Sequence, residues 1–433
     1  MRHYRYIFVL VSLLLGRVGV GYSQDYARLA ERTILGTARY VGMSGAMTAI
    51  GGDPSAVQDN PAGLGLYRRA EVLVTGDLGI DKTTGTKRTL HFSLDQASVV
   101  ISLGTGNEEK GLIAHNLMFS YQRRRTFART LYGASSYAAS LGGFLASEGI
   151  NMTIKYPNHL MNDGNRLNFE ERGSIHEFGL DWAMNYSNQW YAGLGLRIHS
   201  YGLTEDALYQ EDFAIDTSYL DNKTYVSHRG VGVSLAAGAI YRPLSWLRIG
   251  FAIQTPSLGS LNTYTRATTE AGMDSIRTSW APDISMRDND FHMPLRLSSS
   301  VAFQIGAYGM ASVQYDYSHA KYQNDRHTFR VGLEAIPVMG LYLNAGYAYE
   351  NDFVKGDNPA AIDPLFERRD TYSQYTHGVH YASCAIGYRG AAMIVQMAYQ
   401  YRWQKINLYA HPAWDYGVTA ETHRIVLTVG WHR

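Results

Sequence analysis

The residues with the most reactive side chains are scattered through this chain. Fifteen histidines are spread over 433 residues, with a single cysteine, Cys384. His377 and His380 stand three apart in a stretch that reads as strand, where a period of two sends them to opposite faces rather than to one metal ion. His176 and Glu177 diverge for the same reason. Asp288-Asn289-Asp290 resembles part of a calcium loop but lacks the regular ligand spacing and the closing glutamate, so it reads as a solvated loop. The glycine-rich run at Gly51-Gly52 is not a phosphate loop, because no strand leads in and no Gly-Lys-Ser/Thr follows. No nucleophile is paired with a base. The sequence therefore implies no catalytic residue, no metal and no cofactor. One thiol excludes a disulfide scaffold. With Lys+Arg 39 against Asp+Glu 38, the net charge of +1 carries no footprint for nucleic acid.

What recurs is a period of two. Ile425, Leu427, Val429 and Trp431 alternate with Val426, Thr428, Gly430 and His432. Met393, Val395, Met397, Tyr399, Tyr401 and Trp403 alternate with Ala392, Ile394, Gln396, Ala398, Gln400 and Arg402. Alternation of this kind puts the two sets on opposite faces of a strand. The pattern predicts fourteen strands, at 70–82, 88–103, 111–127, 174–187, 190–205, 228–242, 246–266, 292–305, 308–321, 326–336, 340–352, 376–389, 391–410 and 421–433. The gaps sort by parity. Every second one is short, as at Gly306-Ala307-Tyr308-Gly309 and Arg389-Gly390, whereas the gaps at 128–173, 206–227, 267–291 and 353–375 are long. A soluble sandwich has no reason to sort its loops this way. An up-and-down membrane barrel does, with tight turns on one side and free loops on the other.

The fold class expected is all-β, a 14-stranded antiparallel transmembrane β-barrel with an N-terminal plug. Thirty-three tyrosines and 43 glycines suit interfacial belts and close backbone approach. Leu194, Leu196 and Ile198 should face lipid, and Gly193, Gly195 and Arg197 the lumen. Arg248, Arg296, Gln304, Gln314, Asp316, Arg330, Glu334 and Glu350 share the inward face and are expected to pair with one another as lumen filling.

Three segments divide the chain. Residues 1–23 read as a signal peptide: Arg2, His3 and Arg5 precede an apolar run from Ile7 to Leu15, with small Gly21 and Ser23 before a cut ahead of Gln24. Residues 24–69 are dominated by small side chains, cannot span a membrane and are expected inside the barrel. Asp53-Pro54 opens a helix there, and Asn60 before Pro61 ends it. Residues 70–433 form the barrel, at the cell outer membrane. The long gap at 128–173 holds Tyr137, Leu141, Phe144 and Leu145 on one helical face, either an outer capture surface for apolar molecules or a cap on the barrel mouth.

A Gly/Ala-rich segment with Gly51-Gly52-Asp53, a short helix and Asn60-Pro61-Ala62-Gly63-Leu64 ahead of fourteen strands resembles the FadL/TodX family of outer-membrane transporters for hydrophobic compounds. The resemblance covers essentially the whole mature chain. It implies a hatch in the lumen, a ligand gate at Asn60, Pro61 and Ala62, and an inward kink in the strand at 111–127 that opens the wall sideways. It also implies diffusion of fatty-acid-like or aromatic molecules, with outer-membrane lipid, lipopolysaccharide and the barrel-insertion machinery as partners. Members of the same barrel family act in protein secretion to the cell surface or are named haemin receptors, which is the alternative reading. The chain ends Trp431-His432-Arg433 where such barrels often end on an aromatic residue. An apolar pocket beneath the plug would favour the transporter, and a filled lumen the alternative.

Overall fold

Alternation of apolar and small or polar residues continues along most of the chain, and each such stretch pairs with the next. The computed structural model describes residues 29–83, 88–105, 109–135, 162–213, 219–273, 276–280, 285–319, 325–351, 372–411 and 414–433. Strands β1 (Glu71–Thr83), β2 (Thr89–Gly104), β3 (Leu112–Ser135), β4 (Asn162–Tyr186), β5 (Trp190–Phe213) and β6 (Tyr219–Leu244) follow in order. β7 has two parts, Leu247–Gln254 and Leu258–Met273. β8 has three, Ile276–Trp280, Ser285–Asp290 and Leu295–Ile305. Then come β9 (Gly309–His319), β10 (Arg326–Ala335), β11 (Leu341–Glu350), β12 (Tyr372–Arg389), β13 (Met393–His411) and β14 (Trp414–His432). All neighbours are antiparallel, and β1 pairs with β14 from Glu71 opposite His432 to Thr83 opposite Ala420. The sheet is a closed barrel of fourteen strands, as the periodicity requires.

The faces sort as expected. Leu194 and Ile198 are exposed on the outside while Arg197 is fully buried. Val231, Val233, Leu235, Phe251, Val313, Leu333 and Leu427 continue the apolar exterior. An exterior of this kind on a closed sheet is stable only in lipid, so the protein is an outer-membrane barrel. Trp190 stacks on Tyr241 at 4.0 Å between ring centres, beside the tight turn at Ser187-Asn188. Both residues have positive φ, +56° and +57°, a left-handed geometry that asparagine tolerates, within the three-residue connection between Tyr186 and Trp190.

The expected loops differ in one respect. Much of 128–173, 206–227 and 267–291 is strand: β3 and β4 pair from Ser135 opposite Asn165, and β5 and β6 from Asp212 opposite Tyr219. Asp288-Asn289-Asp290 lies in a strand of β8, not in a loop. These extensions stand above the apolar band with polar outer faces, and their inward faces mix Leu131, Leu167, Phe169 and Leu220 with Asn165, Glu171 and Glu211, so no sustained alternation marks them. Tyr137, Leu141, Phe144, Leu145, the stretch 1–23 read as a signal peptide, and 353–371 of the expected gap at 353–375 lie outside the described residues, and strand resumes at Tyr372.

The N-terminal segment fills the barrel. Helix α1 (Ala38–Gly42) is capped by the Thr37 hydroxyl, and α2 (Pro54–Asp59) by the Asp53 carboxylate, which accepts from the Ser55 and Ala56 amides. Asn60 ends α2 and caps the 3-10 turn Pro61–Leu66. From Leu29 to Gly65 nearly every residue is buried, and the segment packs on strands all round the lumen.

Two outcomes test this architecture. A single cysteine at Gly164 should label in intact cells and one at Gly390 should not, since they lie at opposite ends of the strands; labelling at Gly390 would invert the orientation. Leu196→Arg should cost roughly 2–4 kcal/mol in urea unfolding from bilayers, the range for a basic residue at mid-membrane.

Candidate functional site

The helix start at Asp53-Pro54 and its stop at Asn60 place Asp59 at the end of α2, in the middle of the lumen. Its carboxylate accepts hydrogen bonds from Arg296 at 2.8 Å and from the Tyr40 hydroxyl at 2.5 Å. Arg124 lies at 3.5 Å, Arg32 at 3.6 Å and Arg330 at 3.7 Å. Burial pushes the Asp59 carboxyl up, but these guanidinium groups outweigh it and hold the group well below the usual carboxylate range. Burial and the charges of Arg124 and Arg296 bring Arg32 down to about 9. Arg296 and Arg330 belong to the barrel wall, so one plug carboxylate joins strands β8 and β10.

Further bonds moor the plug elsewhere. Arg39 makes a two-pronged bond to Glu334 at 2.6 and 2.8 Å. The Ala38 amide donates to Thr428, the Thr48 amide to Gln314, and Gln58 donates to Ser120. Arg248 donates to the Ile50 carbonyl at 3.0 Å. The inward-facing polar residues therefore pair with the plug at least as much as with each other, which corrects the expected lumen filling: Gln314 and Arg330 reach Asp316, yet both also bond the plug.

Asn60, Pro61 and Ala62 sit against β5 and β6. The Asn60 amide group accepts from the Ala62 amide at 3.1 Å and donates to the Thr48 carbonyl at 2.8 Å. Gly193 and Gly238 face this turn, and a methyl group on either would overlap Pro61 or the Asn60 side chain. Ala62 is fully buried against Tyr191 and Ile240. The plug thus fills the lumen at this level.

The wall departs from regular pairing in β3. Arg123, Arg124 and Arg125 are all buried although they are consecutive. A β-bulge between Arg123 and Arg125 allows it, within the strand where the resemblance places a kink. β2 and β3 pair from Gly104 opposite Ala114 up to Gln96 opposite Gln122. Beyond that, no backbone pairing joins 89–95 to 123–135 among the described residues. At the fork, Arg123 binds Asp77 at 2.6 Å and Asp95 at 2.5 Å. Arg124 binds Glu177 at 2.5 Å, and its carbonyl accepts from the plug's Thr33 amide at 3.1 Å.

Behind the parted wall two environments meet. Phe127, Ile175, Tyr201, Leu203, Leu261, Phe291 and Met293 form an apolar cluster into which the plug inserts Leu29 and Ala30. Beside it is a cavity of about 40 Å³ lined by Arg125, Arg129, Glu171, Arg402 and Arg424. The next plug residue, Glu31, bonds Arg125 and Arg402, the latter at 3.0 Å. Three consecutive arginines in an alternating strand were the sequence signal for this region, and the cluster itself had none. His176 and Glu177 diverge as read: Glu177 points inward, and His176 outward to Tyr121.

No protein-family model and no curated protein matches the chain. Solved structures do. A FadL homologue of Pseudomonas aeruginosa superposes with TM-score 0.60 at 11% identity, covering 92% of this chain and 99% of that one. The toluene transporter TbuX of Ralstonia pickettii gives 0.54 at 14%, covering 92% and 98%. The P. putida toluene transporter TodX gives 0.53 at 10%, with the same coverage. The fold is that of an outer-membrane channel barrel with an N-terminal hatch. Within that class, it is the fold of the FadL/TodX type.

Removal of the central carboxylate should release the plug. Asp59→Asn leaves four buried guanidinium groups to share two carboxylates, Arg296 and Arg330 on Asp316 and Arg32 and Arg124 on Glu177, and should weaken plug docking by roughly 3–5 kcal/mol, read as raised single-channel conductance and faster proteolysis of 29–69. A carboxyl held below its unfolded value stabilises above the ordinary carboxylate pKa of about 3.9, and that contribution disappears as pH falls through the lowered folded value. Conductance should therefore stay flat from pH 7 to about pH 4 and rise only in stronger acid.

Proposed function

We propose that the barrel carries hydrophobic carboxylic acids of the long-chain fatty acid type across the outer membrane and releases them sideways where β2 and β3 part. The observation that carries this reading is what occupies the site. The plug's own Leu29-Ala30-Glu31 places apolar side chains in the cluster and a carboxylate on Arg125 and Arg402. An amphipathic acid makes the same two kinds of contact, with its tail among Phe127, Tyr201, Leu203 and Met293 and its head at the guanidinium groups. Binding then displaces the start of the plug, and the exit lies next to the site, at the fork held by Arg123, Asp77 and Asp95. The solved structures of similar fold include two named as toluene transporters, which supports an apolar cargo. Asn60, Pro61 and Ala62 are the gate in this reading. Any further passage toward the periplasm requires that turn to move from β5 and β6, whose Gly193 and Gly238 leave it no slack.

The filled lumen favours a second reading, a closed barrel that serves as a receptor or a partner in secretion. Transport and closure separate in one experiment. In lipid vesicles, the protein should speed entry of a fluorescent long-chain fatty acid over protein-free vesicles. Arg125→Leu should weaken binding of the acid about 10- to 100-fold, the loss of a charge-assisted bond, without changing binding of its methyl ester. Ala62→Trp should leave the barrel folded, judged by heat-modifiable gel mobility, and slow entry. Entry no faster than in protein-free vesicles would overturn the transport reading in favour of the closed barrel; normal entry with Ala62→Trp would overturn the gate.

A further inference from the structure

The outer face of the barrel carries one motif four times. The Tyr121 hydroxyl meets His176 Nδ1 at 2.8 Å, Tyr315 meets His327 at 2.7 Å, Tyr347 meets His380 at 2.8 Å and Tyr399 meets His423 at 2.7 Å. Each pair is the same diagonal across a hairpin. His176 stands opposite Arg123, His327 opposite Tyr317, His380 opposite Tyr349 and His423 opposite Tyr401, always two residues beyond its tyrosine and away from the tight turns.

The repeat fixes a depth. The strands run from the four histidines down to Tyr186, Ala335, Arg389 and His432 beside the short turns. A run of roughly eight to ten residues, rising about 3.3 Å each and tilted roughly 40°, climbs on the order of 20–25 Å, close to the height of the apolar band. The histidines therefore ring its outer edge, at the headgroups of the outer leaflet.

The repeat also fixes a direction. Where the phenol is the donor to Nδ1, the proton of a neutral imidazole sits on Nε2, at the far edge of the ring. For His327, His380 and His423 that nitrogen has no hydrogen-bond partner among the described residues; for His176 it meets the Ser174 hydroxyl at 2.6 Å. His380 lies flat on Trp403, with planes 8° apart, so its orientation is held by packing too. Further out on the same face are Lys405, Arg172 and Lys82; Arg172 is shared with Glu170 and Lys82 with Glu421, and Asp325 bonds His319 and Tyr317.

We propose that this ring of oriented imidazole donors, with Lys405 further out on the same face, binds the phosphate groups of lipid headgroups in the outer leaflet. Its orienting element is the tyrosine, which frees Nε2–H to donate outward to a phosphate oxygen, while the apolar band below receives the acyl chains. The site is on the outside of the wall and is independent of any cargo in the lumen.

Native mass spectrometry of the full chain purified with lipid A tests this. Wild type should retain lipid A. The triple variant His327→Phe/His380→Phe/His423→Phe keeps ring volume but has no donor, and its retention should fall about tenfold, a loss of about 1.4 kcal/mol. Lipid A stripped of its phosphates should be held weakly by both proteins, and excess inorganic phosphate should not displace the intact lipid. Equal retention by wild type and variant, equal retention of the stripped lipid, or displacement by inorganic phosphate would each overturn the proposal. Should the triple variant fail to insert, each single variant should still lower retention, and three single variants matching wild type would refute the ring.

Discussion

A charge that cannot leave the lumen organises this structure. Asp59 is buried at the end of α2 with Arg296, Arg32, Arg124 and Arg330 about it. Removing a carboxylate from water is unfavourable unless several donors replace the water, and an uncompensated guanidinium cluster is no better. Each partner therefore makes the other tolerable. Because Arg296 and Arg330 rise from the wall and Asp59 from the plug, the barrel's interior and its hatch are two halves of one ion network. The alternative, an apolar interface, would bind the plug with less directional constraint and would not require a matching charge when it moves.

The same logic explains the wall. In a closed barrel every strand is hydrogen-bonded on both sides, so a stretch where pairing stops has to give its polar groups other partners. The bulge at Arg123–Arg125 does this. It turns consecutive arginines inward, where acids from the wall and plug meet them: Asp77 and Asp95, then Glu177, then Glu31. It also presents the Arg124 carbonyl to the plug amide of Thr33. Backbone bonds lost between β2 and β3 are replaced by side-chain ion pairs and by the hatch. The apolar cluster around Phe127 and Tyr201 lies beside this region, so an apolar lumen site and an interruption of the wall are neighbours.

β7 and β8 show how a strand break is tolerated where no parting follows. Pro256 and Pro294 interrupt two adjacent strands. The Ser257 hydroxyl then accepts the Met293 amide at 2.8 Å, and His292 meets the Ser257 carbonyl at 2.8 Å, so the seam stays closed. At this seam side chains rebuild the ladder, whereas at Arg123–Arg125 they tie the wall to the plug.

Local periodicity carried the strand count, the two faces and the helix caps, because each depends on residues close in sequence: Leu194 and Arg197 alternate, Asp53 caps the helix that follows it, and Asn60 closes it. The strand extensions above the band were illegible, since their inward faces mix Leu167 and Phe169 with Asn165 and Glu171 and alternation marks a strand only where it is sustained. The arginine triplet was visible yet mute, for its meaning lies in which acids it meets, and Asp77, Glu177 and Glu31 are far apart in the chain. Asp59 looked like the last residue of a short helix. Its four arginine neighbours come from the plug, β3, β8 and β10, and only closure of the barrel around the plug brings them to one carboxylate. Sequence determines which residues share a face of a strand; the curvature and closure of the sheet decide which faces meet across the lumen.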